Sequence, residues 1–235
     1  MPVNRSTKAL AARYEQTAGS LCGKRITHIA YHPLLEGDDA RGIVEDWDFG
    51  AWHAPTMGVV FGFDDGSAAV ATWDSTFTEY GLEVTVSPKR AGLRHVGPPG
   101  APNEVVVTGH ERWAKLVDRR LSAVEICWED VPLSDLRLPL AVRLEAGGRR
   151  GTSVWLAAGV PAAWPFDGGF RLGTDDVLVI FERELAVRAG IPGRAAARAR
   201  AAAAAKAQAA SEPAAASTSD PDAQAAARPA TVAVI

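Results

Sequence analysis

Hydrophobic residues alternate with small or polar ones on both sides of an Asp64-Asp65-Gly66 turn. Val59, Phe61 and Phe63 lead into it, and Ala69, Val70, Ala71, Thr72 and Trp73 run out. A period of two broken by an Asp-Gly pair is the signature of a β-hairpin, because Gly accepts the positive φ that tight turns need. A weaker copy follows. Leu140, Val142 and Leu144 alternate, Gly147-Gly148 supplies the turn, and Val154-Trp155-Leu156 leaves it.

Other strands read from the same alternation. Residues 26–31 form one, with Ile29 and Tyr31 on one face, stopped by Pro33. Leu82, Val84 and Val86 form the next, ended by Pro88, and short strands follow at 104–108 and 124–128. Val177 to Phe181 is five apolar residues in succession, the pattern of a strand buried on both faces. Proline and glycine mark residues 87–103 as an irregular connector and 158–173 as a loop holding Trp164, Phe166 and Phe170.

Two helices complete the pattern. Ser6 is placed to cap one that runs to about Gly19, with Leu10, Tyr14 and Leu21 on one stripe. Thr108-Gly109-His110-Glu111 fits a capping box, and the helix it opens carries Trp113, Leu116 and Val117 toward Arg120.

The halves align. Arg25-Ile26-Thr27-His28-Ile29 matches Arg120-Leu121-Ser122-Ala123-Val124, the hairpins correspond, and residues 23–87 and 118–183 become candidate repeats. Duplication is one reading of this match. The other is that alternating hydrophobics align with each other cheaply. Either way the expectation is a β-rich (α+β) domain over residues 1–193, a single barrel or sandwich of about eight strands with two short helices.

After Pro192 the composition changes to alanine with Ser, Pro, Thr and Asp. Alanine favours helix, but without large apolar side chains this segment cannot offset ordering entropy by burial. Residues 194–235 are expected to be a disordered tail. Its Arg194, Arg198, Arg200, Lys206 and Arg228 outweigh Glu212, Asp220 and Asp222, so the body is more acidic than the whole-chain charge of −3. An acidic body argues against nucleic acid as its main ligand.

The two cysteines, Cys22 and Cys127, form no CxxC pair and indicate neither zinc ribbon nor disulfide framework. No run approaches the roughly 18 apolar residues of a membrane span, and no apolar leader opens the chain, so the expected location is cytoplasmic and off the membrane. No GxGxxG, Walker or GxSxG motif occurs.

One stretch, residues 34–55, departs from the alternation. Glu36, Asp38, Asp39, Glu45, Asp46 and Asp48 are answered only by Arg41, with Trp47, Phe49 and Trp52 among them. A loop of this length inside a compact domain is often functional. Three uses are open besides a plain solvated connector. The leading one is docking of a basic protein, since a negative field attracts it and aromatic side chains anchor it. The binding residues are then Glu36, Asp38, Asp39, Glu45, Asp46, Trp47, Asp48 and Trp52, in a non-catalytic interaction protein of the kind that neutralises a basic enzyme, with no cofactor.

The second use is a metal-dependent hydrolase centred on Asp46, Asp48 and His53, whose side chains suit a divalent ion. His28 and His32 flank the loop but sit four apart on a strand, about 13 Å, too far for one ion without a bend at Pro33. Calcium is a weaker variant, because the EF-hand's Gly and terminal Glu are missing. The third use places the function in the tail, with the body as a structural adaptor.

Overall fold

The computed structural model describes residues 5–35, 43–74, 76–77, 81–89, 99–130, 137–147, 151–162 and 169–191. The expected tail at 194–235, and Glu36, Asp38 and Asp39 of the acidic loop, lie outside the described residues.

The alternation folds as it reads. A helix, α1 (Arg5–Gly19), leads into β1 (Ile26–Tyr31), β2 (Trp52–Thr56), β3 (Val59–Phe63), β4 (Ala68–Asp74), β5 (Gly81–Ser87) and β6 (Val105–Val106). Four longer strands follow, β7 (Leu121–Asp130), β8 (Arg137–Ala146), β9 (Thr152–Pro161) and β10 (Phe170–Ile180), and then α2 (Arg183–Arg188). They make two five-stranded antiparallel sheets, ordered β5-β4-β3-β1-β6 and β2-β10-β9-β8-β7. The fold is β-rich and sandwich-like. Among the described helices none is long and apolar enough to cross a membrane.

Each sheet holds a four-strand meander, β1-β3-β4-β5 in one and β7-β8-β9-β10 in the other. The two meet antiparallel at Arg25 and Arg120, the residues that open the aligned segments. The Leu121 amide donates to the Lys24 carbonyl at 2.9 Å, and the Gly23 amide donates to that of Leu121 at 2.8 Å. Gly66 has φ of +80° at the β3–β4 turn, the conformation the Asp-Gly pair foretold.

The main core lies between the sheets, where Ile29, Tyr31, Phe61, Phe63, Leu82 and Val84 face Val142, Leu144, Val154, Leu156, Val177 and Val179. Burying each such side chain is worth about 1.5–3 kcal/mol. Along β10, Leu178 and Ile180 point the other way, into a second cluster with Trp52, Leu140, Trp155 and Ile191. That two-sided burial explains the unbroken apolar run. Helix α1 ties the sheets together, because the Tyr14 hydroxyl donates to the Leu82 carbonyl at 2.6 Å and the Trp128 indole donates to Glu15 at 3.0 Å.

Three differences from the sequence reading have physical causes. Strand β2 falls at the end of the segment expected to be loop, and pairs with β10 as the edge of the second sheet, away from its chain neighbours β1 and β3. Strands β9 and β10 extend into the expected 158–173 loop, as far as Pro161 and from Phe170, while Trp164 and Phe166 lie outside the described residues. Residues 108–119 form consecutive turns instead of a helix. Thr108 does not cap there. Its hydroxyl bonds the Ile29 backbone, accepting from the amide at 2.9 Å and donating to the carbonyl at 3.2 Å, which extends the sheet by another step. Asp118 at φ of +61° then turns the chain into β7.

Candidate metal centre

The insertion between β1 and β3 first pairs with itself. Asp48 and His53 oppose each other across a tight turn, where the Phe49 amide donates to the Trp52 carbonyl at 3.1 Å and the Ala54 amide to that of Trp47 at 2.8 Å. Gly50, at φ of +75°, makes the turn possible, and its amide donates to Asp48 Oδ1 at 2.9 Å. Strand β2 then carries His53 against Val179 of β10, fully buried.

The turns after β6 bring in a third group. His110 Nε2 lies 3.2 Å from Asp48 Oδ2, and His53 Nε2 lies 3.2 Å from Asp48 Oδ1. One ligand atom from each of the three residues falls within 4.8 Å of the others. Ligands held about 2.0–2.2 Å from one tetrahedral ion are roughly 3.3–3.5 Å apart, so the two carboxylate–imidazole separations suit a shared cation.

His53 Nε2 is the most telling atom. It is buried, and its partner is the Asp48 carboxylate, 3.2 Å away and off the ideal hydrogen-bond direction. The other ring nitrogen is satisfied, since Nδ1 lies 2.7 Å from the Tyr31 hydroxyl, which accepts from the Trp113 indole at 2.8 Å. Aromatic rings wall the imidazole, with centroids of Phe181, Trp47 and Tyr31 at 4.6, 5.1 and 5.6 Å.

Charge follows this geometry. Burial pushes the His53 pKa down to about 4 against the pull of Asp48, with His110 and Arg112 adding to the depression. His53 is therefore neutral, as a ligand must be. The Gly50 amide, then the two histidines, hold the Asp48 carboxyl below its usual range. Asp48 is exposed and His110 partly so, which leaves an approach from solvent. The Arg112 amide points at His110 Nδ1 from 3.3 Å, a long contact that ligation through Nε2 would give up, because Nδ1 must then carry the proton.

Of the hydrolase residues expected from sequence, Asp48 and His53 come together and Asp46 does not. Asp46 is exposed and outside the cluster, and His110 takes its place. His110 was missed because the Thr108-Gly109-His110-Glu111 run read as a capping box, and no spacing links it to His53. His32 is buried beside Thr56, and His28 is half-buried on β1. Of the expected docking residues, Trp52 is buried and stacked on Phe49 at 4.3 Å, and Trp47 packs on Tyr31, His53 and His110. Glu45 is half-buried. Cys127 offers no alternative nucleophile, since burial pushes its thiol up to about 12.

No family model, no curated protein and no solved structure matches the chain.

Proposed function

We propose that the protein binds a divalent transition metal, zinc being the best match to the donors, through His53, His110 and Asp48, and acts as a metal-dependent hydrolase. The observation that carries the reading is the convergence of the buried His53 Nε2, an ionised carboxylate and a second imidazole within 4.8 Å of one another. Two histidines and one carboxylate are a ligand set of catalytic zinc sites, with a further position left for water whose pKa the ion lowers toward neutrality. The exposed Asp48 and partly exposed His110 support such an open position.

Metal analysis of untagged protein tests it. The expected result is about one equivalent of zinc, or its uptake by chelated protein. Protein that stays empty with equimolar zinc would overturn the reading. Hydrolysis of activated esters that vanishes with chelator and returns with zinc would tie the ion to turnover.

A second reading, docking of a basic partner, has its own support. Leu34, Leu35 and Ile43 are exposed, and the chain pairs Leu35 with Val44, next to Glu45 and Asp46. Apolar residues held in water beside carboxylates suit a partner with a basic, partly apolar face. Replacing Glu45 with Gln and Asp46 with Asn should slow association and flatten its salt dependence. An unchanged rate and salt slope would remove this reading.

A further inference from the structure

We propose that Tyr31, fixed by Trp113, is the positioning residue of the His53 ligand; this rests on the metal-centre reading above. The aromatic walls limit the tilt of the imidazole, but they do not distinguish its two nitrogens. Asp48 lies on the Nε2 side, and among the described residues the Tyr31 oxygen is the hydrogen-bond partner of Nδ1, at 2.7 Å. The Trp113 indole can only donate, so it occupies one lone pair of that oxygen from 2.8 Å and fixes where the oxygen sits. All three side chains are completely buried.

Ligation through Nε2 requires the neutral ring to carry its proton on Nδ1, and that proton points at the second lone pair of Tyr31. A partner on the non-ligating nitrogen orients the ring and raises its basicity toward the ion. The origin of the three groups fits this role. Tyr31 ends β1, His53 comes from the insertion, and Trp113 lies three residues beyond His110 in the same turns. One hydroxyl thus fastens both ligand-bearing segments to the first sheet.

Zinc affinity of the full-length protein, measured by competition with a chromophoric chelator, tests the assignment. Tyr31→Phe keeps the ring and should weaken zinc by about 10–100-fold. Trp113→Phe should weaken it less, and the core variant Leu82→Val should bind as wild type does even if it melts earlier. Cobalt(II) supplies a signature that stability does not move, because its visible spectrum should shift in Tyr31→Phe and not in Leu82→Val. If wild type loads zinc and both Tyr31→Phe and Trp113→Phe match its affinity and cobalt spectrum, the positioning role is overturned while the centre stands. If wild type takes up no zinc, the centre itself fails and this role falls with it. Should Tyr31→Phe not fold, Trp113→Phe decides alone, with unchanged affinity counting against the proposal.

Discussion

The two meanders share an order and differ in what interrupts them. In the second, β7 passes to β8 through residues 131–136 alone. In the first, residues 32–58 separate β1 from β3, and within them lie Asp48, His53 and a strand that leaves for the other sheet. The uninterrupted meander ends in a strand whose last four residues are buried on both faces, and its buried polar residues pair along the sheet, with Arg143 reaching both Glu125 and Glu145. The interrupted one carries the candidate centre. Chemistry enters this fold with the insertion, and the regular unit supplies the wall against which it is held.

The sharpest break of that comparison is to remove the wall. Val179 is fully buried in β10, contributes to the main core and pairs with His53. Val179→Asp would place an unpaired carboxylate there, at a cost of several kcal/mol, enough to prevent folding of a typical domain. The expected outcome is insoluble or non-cooperative protein by circular dichroism and melting. A soluble variant with a normal melt would show that β10 is not the wall described.

The next effect separates ligands from neighbours within the insertion. His110→Ala should cut zinc affinity by more than about 100-fold, beyond the loss typical of a group that only supports a ligand. Asp46→Asn should leave affinity within about threefold, since that carboxylate acts only through a screened field. Equal losses in both would mean that the ion is held by general negative charge, and not by the cluster.

The meanders were legible in the sequence because each strand states its own burial. Val59, Phe61 and Phe63 alternate and face the main core, with Val60 in a small cluster behind them, while Val177 to Ile180 run unbroken and feed two larger clusters. The centre was half legible. Asp48 and His53 are five apart, and Gly50 between them allows a turn. Strand β2 was not legible, because Trp52-His53-Ala54-Pro55-Thr56 is short, contains proline, and takes its partner from beyond residue 170. His110 was hidden for a related reason. The hydroxyl of Thr108 can cap a helix or bond a strand, and only the nearness of Ile29 decides between them.

Acid should expose the insertion's burial as a smaller effect. The folded His53 pKa, about 4, lies below the unfolded value near 6.5, so the unfolded state binds the proton first. Its contribution is complete above about pH 6.5 and is lost as pH falls toward 4, on the order of 2 kcal/mol. In chelator, wild type should lose more thermal stability between pH 7 and 4.5 than His53→Gln, which has no group to titrate. Equal losses would show that His53 is not held neutral by burial.

The smallest effect has the opposite sign and sits where the two regions touch. Asp176 lies on β10 just before its apolar run, and burial, then Asp175, then Glu45 of the insertion push its pKa up to about 6. Its folded pKa is above the unfolded value of about 3.9, so the ionised form is a burden on the native state at neutral pH. That burden is relieved as pH falls through 6 and offsets part of what His53 loses. Asp176→Asn keeps the side-chain size and removes the charge. It should raise the melting temperature at pH 7 by a degree or two, the scale of a change below about 1 kcal/mol in a domain of this size. At pH 4.5 the gain should shrink, so that the variant's acid loss is steeper than wild type's. Glu45→Gln should give part of the same gain, because Glu45 is one source of the repulsion. If Asp176→Asn instead melts lower at pH 7, its carboxylate is a partner and not a burden, and the contact between insertion and wall is attractive, not repulsive.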